Sequence, residues 1–190
     1  MKKRLFFIIV IVMIIVFFLM SGHRLTPDGA AKAHAFLEKN AKIVKEIEIG
    51  WGRAYIYKIN YYYRTVLVVK NGFLWRSPVS MTTENSADKK DNIRTIGWMN
   101  YSNNREAITI LAVKSYDDEI AYIEAGTDID REKKEIRKDE TVVFLWEKPF
   151  YIDNINPIAL SRNNKLCYRY GYPEDTNIFR AEELKWHKVK

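Results

Sequence analysis

The chain has 190 residues, of which 47% are hydrophobic and 29% charged, and its formal net charge is +7 at pH 7. This length is sufficient for one domain with a substantial core. Cys167 is the only cysteine, which excludes a disulfide framework within the chain.

An unbroken apolar run, Leu5–Met20, follows the basic residues 2–4 at the N-terminus. Fourteen residues of this run are Leu, Ile, Phe or Val, and their summed insertion free energy is about −4 to −8 kcal/mol. The run is about 24 Å long as a helix, whereas the hydrocarbon core of a bilayer is roughly 30 Å thick. Ser21, Gly22 and a snorkelling Arg4 can cover part of the difference, so the run predicts a transmembrane helix.

The basic flank predicts a cytoplasmic N-terminus by the positive-inside rule. Residues 1–22 then form a single-pass anchor in the cell membrane, and residues 23–190 form a single extracytoplasmic domain. A cleaved signal peptide, which would give a secreted protein, is the alternative. It fits less well, because Leu19 and Met20 stand two residues before Ser21 and Gly22, where a cleavage site has small residues.

The extracytoplasmic part is predicted to be mainly β. It begins with one short helix, because Thr26 can cap it, Pro27 suits its first position and Asn40 is a stop signal. From Lys42 the apolar pattern has a period of two. The spacing of turn signals predicts an antiparallel sandwich or a bent sheet of about nine or ten strands.

Two strand patterns are specific enough to be tested singly. The pair Asn71-Gly72 predicts a type I′ turn that joins Thr65–Lys70 to Phe73–Ser77, with Pro78 ending the hairpin. Ala107–Lys114 is apolar on both faces, which predicts a central strand. The polar stretch 81–92 between these patterns predicts a mobile loop.

The tail of the chain holds three further signals. Glu132–Lys138 is heavily charged and predicts either an edge strand or a short helix. A second hairpin is predicted over Pro157–Tyr170, around Asn163-Asn164. Trp186 is expected to dock the C-terminal tail onto the body of the domain.

Four segments carry a resemblance to known proteins: Gly72–Trp75, Arg94–Trp98, Ile108–Val113 and Ile120–Gly126. In them the chain resembles small uncharacterised membrane-anchored or lipoprotein-like proteins of Gram-positive bacteria. The similarity covers most of the part after the anchor, although no lipidation cysteine follows the apolar run. The resemblance implies a bacterial cell-envelope protein and brings no activity with it.

Motifs for catalysis or metal binding are not found in the sequence. The histidines are far apart and have no ligand at zinc spacing. Asp128 and Asp130 lie in an acidic loop, but Lys133 stands where an EF-hand requires Gly. Cys167 lies in a strand pattern without groups that would activate it, so a buried structural thiol is expected. We therefore expect no enzyme activity, no metal and no cofactor.

Aromatic and basic side chains are interleaved in the first half of the domain, a pattern suited to binding a sugar or an envelope polymer, or to a position at the membrane interface. The candidate ligand-binding residues are Trp51, Arg53, Tyr55, Tyr57, Tyr61, Arg64 and Trp75. The other interpretation is that these aromatic residues build the core and its rim. Nucleic-acid binding is not expected, because basic and acidic residues are mixed and the domain lies outside the cytoplasm.

The sequence thus favours a non-catalytic binding or interaction module, anchored in a bacterial cell membrane through Leu5–Met20. Its expected partner is an envelope polymer or another membrane protein. A small envelope hydrolase, or a regulator of one, is the alternative.

Overall fold

The computed structural model describes residues 2–84, 91–173, 180 and 183–189. These residues are mainly β, as predicted, with two α-helices, a 3-10 turn at Ile152–Asn154 and antiparallel sheets. The helices are α1 (Lys2–Met20) and α2 (Pro27–Lys32). The strands are β1 (Lys42–Ile49), β2 (Gly52–Ile59), β3 (Tyr62–Asn71), β4 (Leu74–Glu84), β5 (Ile93–Ser102), β6 (Ala107–Ser115), β7 (Ile120–Ala125), β8 (Glu132–Glu135), β9 (Thr141–Trp146), β10 (Ile158–Ser161), β11 (Leu166–Gly171) and β12 (Lys185–Lys188).

Three sheets contain these twelve strands, with the strand orders β1-β2-β3-β4, β12-β11-β10-β7-β8 and β5-β6-β9. The chain divides into two compact units. The first unit comprises Met1–Ile59 and Arg64–Ser80, and the second comprises Asn60–Tyr63 and Met81–Lys190.

Helix α1 consists of an apolar segment that follows three basic residues. Among the side chains of α1 that the structure describes, fourteen apolar ones are exposed, from Phe18 at 42% to Met20 at 83%. Among the residues that the structure describes, no helix is both long enough and apolar enough to cross a membrane. The structure confirms a helix over Leu5–Met20, and its insertion into a membrane stays a prediction.

Helix α2 begins as predicted and ends early. The Thr26 hydroxyl accepts a hydrogen bond from the Gly29 amide at 3.1 Å, and Pro27 occupies the first turn. The helix was expected to continue to Asn40, but it ends at Lys32. Next to this end, His34 Nδ1 accepts a hydrogen bond from the Phe36 amide at 3.3 Å. This side-chain contact replaces helical backbone bonding, and turns follow instead.

The β3–β4 hairpin is confirmed, but its turn lies one residue later than predicted. The two loop residues are Gly72 and Phe73, and of these only Gly72 has positive φ, at 62°. Glycine at the first central position is typical of a type II′ turn, so the expected type I′ turn at Asn71-Gly72 is wrong. Strand β4 also continues through Pro78 to Glu84. It can do so because β4 is an edge strand, where a missing amide donor is tolerated.

The predicted loop over 81–92 is correspondingly shorter. Met81–Glu84 belongs to β4, and the second unit resumes with β5 at Ile93. Residues 85–90, on which most of that prediction falls, lie outside the described part of the chain.

The second unit contains two sheets that share one hydrophobic core. Strand β6 is central, between β5 and β9, and contributes Leu111 and Val113. The five-stranded sheet contributes residues such as Ile123 and Tyr168. Trp186 of β12 is 7% exposed and donates to Thr95 Oγ1 at 3.1 Å, which confirms that the tail docks here.

Two further strand predictions hold in this unit. Strand β8 is the edge of the five-stranded sheet, so its charged side chains can reach solvent. The hairpin β10–β11 forms around Asn164, whose φ is 60°. The strand count exceeds the prediction in part because β12 was not recognised in the mixed C-terminal tail.

Candidate functional site

The predicted aromatic and basic face begins on β2, and there the structure buries its two tyrosines. Tyr55 is 2% and Tyr57 1% exposed. Burial raises the pKa of both phenols, and the carboxylate of Asp28 adds to the effect at Tyr57. The Tyr57 hydroxyl has no hydrogen-bond partner among the described residues. These two rings are core residues, so they offer no surface to a ligand.

Arg53 on the same strand is held by carboxylates of β1. Its Nη1 donates to Glu46 at 2.7 Å and its Nη2 to Glu48 at 3.1 Å. Glu48 is the residue directly opposite Arg53 in the β1–β2 register. A hydrogen bond to Tyr55, together with these carboxylates, raises the pKa of Arg53. The charge of Arg53 is therefore largely neutralised locally.

The remaining predicted residues are distributed over separate contacts. Arg64 donates to the Phe36 carbonyl at 2.5 Å, and its guanidinium lies 5.8 Å from the Phe36 ring centre. Lys70 lies 5.9 Å from the ring centre of half-buried Trp75. Trp51 is half-buried at the turn before β2, and Tyr61, in the second unit, is 77% exposed.

The carboxylates of the acidic loop are engaged by basic side chains. Lys148 Nζ contacts both oxygens of Asp130, at 2.7 and 3.0 Å, and Arg131 Nε donates to Glu124. Among the described residues, no group of three or more histidine, cysteine or acidic side chains could hold a metal ion. These contacts give the loop a structural role.

Cys167 is half-buried rather than fully buried, in contrast to the expectation from the sequence. Its thiol lies 3.4 Å from the Lys165 carbonyl. His187 does not face this thiol, because its Nε2 lies 3.0 and 3.1 Å from the carbonyls of Gly171 and Glu183. A Cys-His pair involving these two side chains is thus not formed.

A cavity of about 500 Å³ lies beside Cys167, at the β10–β11 turn of the second unit. Arg162, Lys165 and Lys188 line it with exposed basic side chains. Asp118 and Glu119 also line it, and Asp118 is bridged to Lys138 at 3.3 Å. A backbone hydrogen bond lowers the pKa of the Asp118 carboxyl, and the bridge to Lys138 lowers it further. Three cations at one cavity can hold an anionic ligand.

A second candidate surface, which was not predicted from the sequence, lies where the chain leaves α1. Arg24 and Trp75 exchange backbone hydrogen bonds of 2.8 Å in each direction. Beside this bridge, Leu25 is 74% and Phe73 78% exposed. The sequence held one signal for this surface, which is Phe73. It is an apolar residue in a two-residue hairpin loop, where polar residues are usual.

Comparisons with protein-family models, curated proteins and solved structures give no match to this chain. The two surfaces therefore have to be interpreted from their own geometry and charge.

Proposed function

We propose that this chain is a single-pass, membrane-anchored binding module of a bacterial cell envelope, without catalysis of its own. Its N-terminus is cytoplasmic and its β-rich body extracytoplasmic.

One observation carries the proposal: from Leu5 onward α1 is apolar on all sides, and most of its described side chains are exposed. A helix that is hydrophobic all round is normally buried in a protein core or in a membrane. Since the apolar run is a little shorter than a bilayer core, insertion requires snorkelling of Arg4 or local thinning of the lipid.

The ligand that we propose for the body is an anionic envelope polymer, held at the cavity of Arg162, Lys165 and Lys188. Without residues 2–4 the chain has 28 Lys and Arg against 24 Asp and Glu, a formal net charge of +4. This mild excess attracts a polyanion at low ionic strength. Two antiparallel sheets on one core also support the finer proposal that the second unit is a β-sandwich.

Fractionation of cells that express the full chain tests the anchor. We expect the intact chain in the membrane fraction after alkaline carbonate extraction, with its body digested when intact cells are treated with protease. A soluble product that begins near His23, identified by its mass, would show a cleaved signal instead. Full-length chain dissolved in the cytoplasm would contradict the proposal.

Co-sedimentation with purified cell walls tests the ligand. We expect the detergent-solubilised full chain to pellet with walls that retain their anionic polymer, and less so as salt rises. The double variant Arg162→Gln/Lys165→Gln should pellet several-fold less. Arg105→Gln/Lys58→Gln removes the same charge from residues that do not line the cavity and is the control. Equal pelleting of the two variants would contradict a site at this cavity.

A further inference from the structure

We propose that the first unit has a second membrane contact at the tip of its β3–β4 hairpin, directed at anionic lipid. This inference rests on the proposed membrane anchor. The surface, called the tip surface, comprises Leu25, Lys70, Phe73, Trp75 and Arg76.

The path of the chain places the tip surface close to the end of α1. Arg24 follows the last residue of α1, Met20, by four positions, a reach of at most about 14 Å. At Arg24 the chain is fixed to β4 by its two backbone hydrogen bonds with Trp75. Phe73 precedes Trp75 by two residues. The tip surface is therefore continuous with the proposed anchor, and the lipid that surrounds α1 is within its reach.

The side chains of the tip surface suit a membrane interface. Phe73 and Leu25 are among the most exposed apolar residues outside α1. Trp75 is half-buried beneath the Lys70 ammonium, and tryptophan is enriched at the headgroup level of membranes. An apolar residue inserts there, while flanking cations remain among the headgroups.

Charge identifies the lipid as anionic. Lys70 and Arg76 stand three residues before and three after Phe73, and both are exposed. The sequence from Gly50 to Thr83 contains no Asp or Glu. Basic residues near an anionic surface strengthen membrane binding.

Depth-dependent quenching tests the inference on the full chain in phosphatidylcholine–phosphatidylglycerol vesicles. Phe73→Cys, in a Cys167→Ser background, carries an environment-sensitive fluorophore, and nitroxide-labelled lipids act as quenchers. Phe36→Cys in the same background is the control, because Phe36 is 69% exposed and also lies in the first unit. Phe36 contacts Arg64 of β3. Arg64 lies seven residues, or about 23 Å, from Asn71 at the end of β3, so Phe36 is remote from the tip surface.

We expect a blue shift and several-fold stronger quenching at position 73 than at position 36. Equal quenching at both positions, in protein that floats with the vesicles, would overturn the tip contact and leave the anchor intact. Protein that does not float with the vesicles would overturn the anchor and the inference that depends on it. If Cys167→Ser prevents folding, Trp75 emission replaces the label. It is obtained as the difference between the spectra with and without Trp75→Phe, in wild type and in Phe73→Glu, because the chain has five tryptophans. A red shift on vesicle binding relative to wild type supports the contact, and identical emission overturns it.

Discussion

Helix α1 and strand β6 are both mainly apolar, but the apolar side chains of β6 are buried and those of α1 are exposed. In β6, Ile108, Ile110 and Leu111 are completely buried. In α1, Phe17 is 68% exposed, and most of the helix resembles it. Similar composition thus leads to burial in protein for one segment and to exposure for the other.

The difference follows from how each backbone satisfies its hydrogen bonds. A strand needs neighbours, and β6 obtains them from β5 and β9. A helix satisfies its backbone internally, so it can leave the protein for lipid without losing hydrogen bonds. Strand β6 is the centre of a protein core, and under the proposed anchor the solvent of α1 is a bilayer.

The largest expected effect is the loss of membrane binding in Ile11→Arg/Ile14→Arg. Two arginines near the helix centre cost about 5–7 kcal/mol on the insertion scale, which is comparable to the total gain from the apolar run. The chain should move from the carbonate-resistant pellet to the soluble fraction. Ile11→Ala/Ile14→Ala should remain in the pellet. Retention of the arginine variant would show that α1 is not held by lipid.

A smaller effect is expected when one phenylalanine is truncated in each region. Phe144 is completely buried and stacks on Trp146, with ring centres 5.6 Å apart. Phe144→Ala should lower the free energy of unfolding by about 3–5 kcal/mol through lost transfer energy and a cavity. Phe17→Ala should change it by less than about 0.5 kcal/mol. Urea unfolding in detergent micelles, followed by circular dichroism, measures both. Equal losses would mean that α1 packs against the body.

The smallest expected effect is on the pH dependence of folding stability, through the Tyr170 phenol in the second unit. Burial raises the pKa of Tyr170 from 10.0 to about 12, despite a hydrogen bond with Thr95 that lowers it. The neutral phenol is favoured in the folded state, so its contribution to stability is complete below pH 10.0 and is lost as pH rises to about 12.

Tyr170→Phe should therefore reduce the fall in the urea midpoint between these two pH values. Tyr61→Phe, which changes an exposed ring, should leave the fall as in wild type. If both variants behave alike, the Tyr170 phenol does not contribute to alkaline destabilisation.

Local patterns predicted several elements well. The cap at Thr26, the central strand β6 and the β10–β11 hairpin each depend on residues close in sequence. The errors arose where a nearby or distant group competed with the local signal. His34 ended α2 early, and the edge position of β4 allowed Pro78 inside a strand.

The candidate binding face was the least predictable feature. Alternation placed Arg53, Tyr55 and Tyr57 on one side of β2, but it could not tell which side would be covered. The structure buries both tyrosines and pairs Arg53 with Glu46 and Glu48. The cavity beside Cys167 joins residues from different elements, so no sequence window could reveal it. For the tip surface the sequence offered one signal, the apolar Phe73 in a two-residue hairpin loop.

The sequence by itself determined that the first segment is an apolar helix and that the rest is β-rich, because composition and periodicity are local properties. Only the tertiary structure decided which aromatic rings became core, which cations were neutralised and which apolar residues stayed exposed. The physical reason is that burial and pairing depend on neighbours that the chain brings together over long sequence distances.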